Sequence, residues 1–172
     1  YKNYSKLSFF TTLFSDCEFI NNLIKKTQQQ NNYNQYKLSK HHHIEDLEAA
    51  IEIVKKLYPY YDESIEKYLK LDYGYYKNIF IMKKEIFFEY CKWLFSILEQ
   101  LEKEIDITIY NDQEKRVFGY IAERLLGIFY THWKNDIKTT ELPLERISEI
   151  NYINFNERIH NLLRKLIILY RS

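Results

Sequence analysis

One stretch of the chain gathers charged and small residues at helical spacing, Lys115-Arg-Val-Phe-Gly-Tyr-Ile-Ala-Glu-Arg-Leu-Leu-Gly127. At about 100° per residue, Arg116, Gly119, Tyr120, Glu123 and Gly127 share one stripe, with Ile121 and Leu125 roughly opposite. A glycine inside a helix costs about 1 kcal/mol relative to alanine, so two on one stripe imply that something approaches this helix closely. In a ligand pocket, Arg116 or Arg124 would clamp an anionic group such as phosphate, and Glu123 would orient a hydroxyl or act as a base. Packing against another helix, with Arg116 and Glu123 in ion pairs, accounts for the same residue types.

A second cluster is His41-His-His-Ile-Glu-Asp46. His42 and Asp46 stand at i, i+4, where they can share a metal or a hydroxylated substrate, with His43 beside them. No third ligand is identifiable, and the alternative is a capped helix start with a partly buried histidine, Glu45 and Asp46 suiting the helix dipole. Asn78 lies inside an apolar run where asparagine is disfavoured, and is therefore an edge or a pocket residue. Tyr75, Tyr76, Trp93 and Trp133 can be read as a sugar-stacking platform or, in a chain with 17 Tyr and 11 Phe, as core. Cys91 reads as core. No P-loop, GxSxG, HExxH or dinucleotide glycine pattern occurs, and Glu104-Ile-Asp106 only approximates an Asp-x-Asp.

These residues need elements to hold them. Ile44, Leu47, Ile51, Val54 and Tyr58 form one face of a helix ended by Pro59. Asp62 caps a short helix carrying Ile65, Tyr68 and Leu69, which Gly74 breaks. The run Tyr75–Met82 reads as a buried strand. A long helix spans roughly residues 84–104, with Phe87, Cys91, Leu94, Leu98 and Leu101 on its apolar stripe and Tyr90, Ile97 and Ile105 widening it. Asn111 and Glu114 resemble a capping box that starts a helix reaching Trp133, with Val117, Ile121, Leu125, Ile128 and Phe129 inward. Pro143 marks a break, and Asn154 or Asn156 caps a final helix with Ile159, Leu162, Leu166 and Leu169. Residues 1–40 are weakly periodic, and the polar tract Gln28–Gln35 reads as a loop on the domain surface. The fold class is mainly α with a few short strands.

Composition bounds the rest. With 172 residues, 46% hydrophobic and 28% charged, the chain suits one domain with a real core. Three Gly and two Pro disfavour a many-stranded sandwich or barrel. A net charge of +1 gives no field to hold nucleic acid. Lysine well outnumbers arginine, so lysines read as solvating filler and each arginine merits attention. Cys17 and Cys91 form neither a disulfide framework nor a zinc spacing, which fits a reducing cytoplasm. No signal peptide or apolar run of about 18 residues is present. The chain opens at Tyr1 and its only methionine is Met82, as expected for part of a longer protein.

The order of segments is itself informative. His42-His-Ile-Glu-Asp-Leu47, Leu57-Tyr-Pro-Tyr-Tyr61, Lys77-Asn-Ile-Phe-Ile-Met-Lys-Lys-Glu-Ile-Phe87, Tyr90-Cys-Lys-Trp-Leu-Phe95, Leu101-Glu-Lys-Glu-Ile-Asp106 and Arg116-Val-Phe-Gly-Tyr-Ile-Ala-Glu-Arg-Leu125 resemble successive motifs of one family. It is the bacterial capsular and exopolysaccharide-synthesis domain known as domain of unknown function 4422, taken to be glycosyltransferases. Ile79 replaces a methionine common in the family, and the family's earlier His-Tyr-Arg-Arg-Tyr-Phe segment is not found.

The resemblance implies sugar transfer from a nucleotide-sugar donor to a capsular polysaccharide, exopolysaccharide or glycolipid, at the cytoplasmic face of the membrane. It further implies a GT-A-like α/β domain of which this chain is the later, acceptor-side part: an irregular lead-in over 1–40, a family-like core over 41–135 and an extension over 136–172 with a helix. Under it, Glu123 becomes the candidate catalytic base, and Arg116, Arg124, Gly119, His42, His43, Asp46 and Asn78 become substrate-binding candidates. No resident metal is assigned, although a divalent ion would suit the chemistry. The competing reading is a non-catalytic helical accessory module attached to a glycosyltransferase. The final helix, with Arg158, Arg164, Lys165 and Arg171, is read either as closing the core or as lying on an anionic membrane.

Overall fold

The computed structural model describes residues 19–25, 30–76 and 79–143, with side chains from Gln30 through Glu141. Five helices carry most of that length, four of them where the periodicity predicts and the first where it predicts a loop. Helix α1, Asn32–Lys37, starts where the Asn31 side chain accepts the Asn34 N–H at 2.8 Å. Helix α2, Ile44–Leu57, has Glu45 and Asp46 in its first turn and Lys55 and Lys56 in its last, matching its dipole at both ends. It buries Leu47, Ala50, Ile51 and Val54, and a 3₁₀ turn over Pro59–Tyr61 follows. Helix α3, Asp62–Lys70, buries Ile65 and Tyr68. It ends before Leu71, ahead of Gly74, and Asp62 is its first residue rather than a side-chain cap.

Helix α4 runs over Lys84–Glu104, the predicted span, but its buried stripe is Tyr90, Trp93, Leu94, Ile97 and Leu101. This rotates the expected stripe: Phe87 is 40% exposed and Cys91 is half-buried rather than core. The rotation follows the aromatic residues, since Trp93 stacks on Tyr61 at 5.0 Å and Tyr90 meets Phe129 at 5.1 Å, burying more area than Phe87 and Cys91 would. The capping box forms as predicted: Asn111 Oδ1 accepts the Gln113 and Glu114 N–H groups while Glu114 Oε2 accepts the Asn111 N–H. It opens a 3₁₀ turn, Glu114–Arg116, and helix α5 then runs over Val117–Trp133.

Strand β1, Phe19–Lys25, is the centre of a small mixed sheet. It pairs antiparallel with β2, Tyr73–Gly74, and with β3, Phe80–Met82, and parallel with β4, Thr139–Pro143. Of the single buried strand expected over Tyr75–Met82, only Phe80–Met82 is a strand, β2 having ended at Gly74, and Ile79 and Ile81 are 50% and 60% exposed. The cause is alternation: a half-covered sheet buries every second residue, so the apolar run does not lie inside throughout. The polar tract also departs from the expected surface loop, since α1 buries Asn32 and Tyr36 completely. Tyr75 and Trp93 are buried in the core, the packing reading of the aromatic set. The final helix lies outside the described residues.

Candidate functional site

Helix α5 places two adjacent residues in opposite surroundings. Glu123 keeps its side chain 25% exposed, whereas Arg124 is 1% exposed. Burying a guanidinium costs several kcal/mol, about what is recovered only if charge and donors are matched. Four contacts supply that here. Arg124 Nη2 donates to Gln35 Oε1 at 2.5 Å, and Arg124 Nη1 lies 3.5 Å from Glu123 Oε2. The guanidinium carbon stands 4.6 Å from the Tyr76 ring centre and 5.3 Å from that of Tyr36. Desolvated cation–π contacts reach about 2 kcal/mol each and a hydrogen bond to a charged group about 1.5–3. Arg124 Nε has no partner, so the match is incomplete.

Around this centre lies a continuous series of rings. Tyr36 meets His42 at 4.4 Å, His42 meets Tyr120 at 4.3 Å, and the Arg116 guanidinium stands 5.5 Å from the Tyr120 ring. Tyr76 donates to Asn32 Oδ1 at 2.7 Å, while the Asn32 amide donates to the carbonyls of Tyr68 and Tyr73, both at 2.8 Å. Gly74 is required in this knot: a Cβ there would stand 2.6 Å from Tyr76 Cζ and 2.9 Å from Asn32 Oδ1. Burial lowers the His42 imidazole to about 4, assisted by the charge of Arg124, so the ring is neutral at physiological pH. Burial pushes the Tyr76 phenol up to about 12 against the opposing pull of Arg124, and raises Tyr36 and Tyr68 as well, leaving all three neutral.

A second unit adjoins it. Tyr110 donates to both Asp46 oxygens, at 2.9 and 3.0 Å, and Asp46 is 4% exposed. Burial raises the Asp46 carboxyl above its ordinary range, with the Tyr110 hydrogen bond pulling the other way. His43 stacks on Tyr110 at 4.4 Å and its Nε2 lies 3.6 Å from Glu114 Oε1. Asp46 therefore serves the helix start and Tyr110, and it does not pair with His42. Among the described residues no group of three His, Cys, Asp or Glu side chains is placed to hold a metal, and no helix is long and apolar enough to cross a membrane.

The two glycines of α5 have different causes. A Cβ on Gly127 would run into Cζ, Cε2 and Oη of the buried Tyr68, so there the close approach comes from helix α3. A Cβ on Gly119 would meet nothing within 4 Å. Gly119 thus leaves an open surface on the first turn of α5, one helical turn from Glu123 and beside the exposed Arg116.

The structure brings together Arg116, Gly119, Glu123, Arg124 and His42, which the sequence presents as two unrelated motifs, and sets His43 and Asp46 alongside through Tyr110. Arg124 faces the interior rather than an anion-accessible surface. Asn78 lies outside the described residues. Gln35, Tyr36 and Asn32 were not expected; the signal for them is Asn31 before two tyrosines at i, i+3 spacing, a capped half-buried turn.

Comparison with known proteins places this geometry. The family described as Domain of unknown function (DUF4422) matches residues 2–136. A solved structure titled as the WbbM bifunctional glycosyltransferase in its apo state is similar with a TM-score of 0.74 and 37% sequence identity, over 84% of this chain and 27% of that one. The chain thus spans about a quarter of the length of that protein. No curated protein matches. With the family covering most of its length and this structural likeness beside it, the chain belongs to the DUF4422 family and is a glycosyltransferase-related domain.

Proposed function

We propose that the chain forms the acceptor-side part of a glycosyltransferase that moves a sugar from a nucleotide-sugar donor to a capsular polysaccharide, exopolysaccharide or glycolipid at the cytoplasmic face of the membrane. The observation that carries this reading is the open surface over Gly119, with the partly exposed Glu123 carboxylate one turn away and Arg116 at its edge. In an inverting transfer, Glu123 takes the proton of the acceptor hydroxyl as its oxygen bonds to the anomeric carbon. The bond from that carbon to the diphosphate breaks, and the nucleoside diphosphate leaves with the electron pair. Arg116 is the accessible cation for that negative charge. His42, neutral and wedged between two tyrosine rings, shapes the wall of the site.

In the full-length protein, Glu123→Gln is expected to lower transfer by at least about 10²-fold, as loss of a general base does, with an unchanged circular dichroism spectrum. Wild-type turnover would remove Glu123 from the mechanism. Titration of the chain with the glycan acceptor followed by thermal shift gives the independent check: stabilisation by an acceptor supports an acceptor site here, and indifference favours the accessory-module reading.

A further inference from the structure

The pair Glu123–Arg124 is unusual in its division of labour. Glu123 reaches the open surface, while the guanidinium next to it is enclosed by Gln35, Tyr36 and Tyr76 from elements far away in sequence. A buried cation is a poor device for stability, because apolar residues of similar volume commonly replace such groups without loss. Its Nε is left without a partner, which again does not suit a purely structural role. Besides Gln35 and the two rings, the guanidinium meets the partly exposed Glu123 carboxylate, Nη1 standing 3.5 Å from Oε2.

We propose that Arg124 is a positioning residue for sugar transfer: held by Gln35 and the Tyr36 and Tyr76 rings, its guanidinium fixes the Glu123 carboxylate at the open surface beside Gly119. The inference rests on Glu123 as the base. The fork geometry of arginine is needed because one nitrogen is anchored on Gln35 while another meets Glu123, a span that a point-like ammonium covers only in part.

The test is steady-state transfer in the full-length protein for Arg124→Met, Arg124→Lys, Gln35→Met, Glu123→Gln and the double variant Glu123→Gln/Arg124→Met. Arg124→Met is expected to lower kcat at least tenfold with the donor KM within about twofold of wild type, and Arg124→Lys to recover part of that loss. The double variant is expected to be no slower than Glu123→Gln alone, because a residue acting through Glu123 has nothing left to position. Gln35→Met keeps the arginine and is expected to lower kcat severalfold, which tests the same link without emptying the buried site. Wild-type kcat in both Arg124→Met and Gln35→Met, with Glu123→Gln inactive, overturns the positioning role and leaves the base in place. So does a double variant slower than Glu123→Gln by the full Arg124→Met factor. Full turnover in Glu123→Gln instead removes the base itself.

Discussion

Substituting alanine at the two glycines of α5 should move stability in opposite directions. At Gly127 the new methyl has to displace the ring of Tyr68, which is fully buried and has no space to retreat into. Overpacking of this kind costs about 1–3 kcal/mol, and the depth of the overlap places Gly127→Ala near the upper figure. The helix-propensity gain of about 1 kcal/mol offsets part of it, leaving a net loss of roughly 2 kcal/mol. For a chain of this size that corresponds to a fall in Tm of about 4–8 °C. At Gly119 the methyl enters open space, so Gly119→Ala should gain roughly 0.5 kcal/mol and raise Tm by about 1–2 °C. Calorimetry and urea unfolding on both variants, with Tyr68→Leu and the double variant Gly127→Ala/Tyr68→Leu, complete the test. Removing the ring should abolish the cost of the new methyl, a coupling above about 1 kcal/mol. A neutral Gly127→Ala, or a coupling near zero, would refute the assignment of Gly127 to the Tyr68 contact. A destabilised Gly119→Ala would refute the open surface on which the site is drawn.

Two further outcomes follow from the electrostatics. Because the folded His42 titrates at about 4 and an unfolded histidine near 6.5, the unfolded state takes up the proton first. Stability should therefore fall as pH drops from about 6.5 to 4 and level off below. The full shift is worth about 3 kcal/mol at 1.36 kcal/mol per unit, reduced to roughly 1–2 by the solvent that reaches the ring. Comparing Tm against pH for wild type and His42→Phe should show the slope shrink in the variant. Tyr110→Phe removes the single O–H that is shared between the two oxygens of the buried Asp46 carboxylate and should cost about 1.5–3 kcal/mol in urea unfolding, whereas loss of a surface contact would cost less than about 0.5.

The long helices were legible in the sequence because each buries one stripe at 3.6-residue spacing: Ile44 to Leu57 and residues 84–104 carry that signal throughout. Helix α1 was not, since six residues with two tyrosines among Asn and Gln hold too few apolar positions to reveal a period. Nor was β4, whose Thr139–Pro143 run becomes a strand only through parallel pairing with β1 more than a hundred residues earlier. The site divides in the same way. Spacing alone singled out Arg116, Gly119, Glu123 and Gly127 as one stripe. It gave no sign that Tyr36, His42 and Tyr120 would join the two motifs, because that link is made of ring contacts between α1, α5 and the start of α2. Arg124 shows the limit most clearly: an arginine in a helix reads as surface or pocket, and only the arrival of Gln35 and Tyr76 from other elements makes the interior habitable for it.

Helix α1 is too short to persist alone, since isolated helices below about 12–15 residues are marginal in water. Its anchorage is Asn32 on the Tyr68 and Tyr73 carbonyls and Gln35 with Tyr36 on Arg124. Each partner needs the other: without the helix the guanidinium is left uncovered, and without the guanidinium the helix keeps only its Asn32 anchor. Order in this segment and order at Glu123 therefore rise and fall as one cooperative unit. A cut in the chain between Asn31 and His42 would uncover the guanidinium behind Glu123 while leaving helix α5 itself intact.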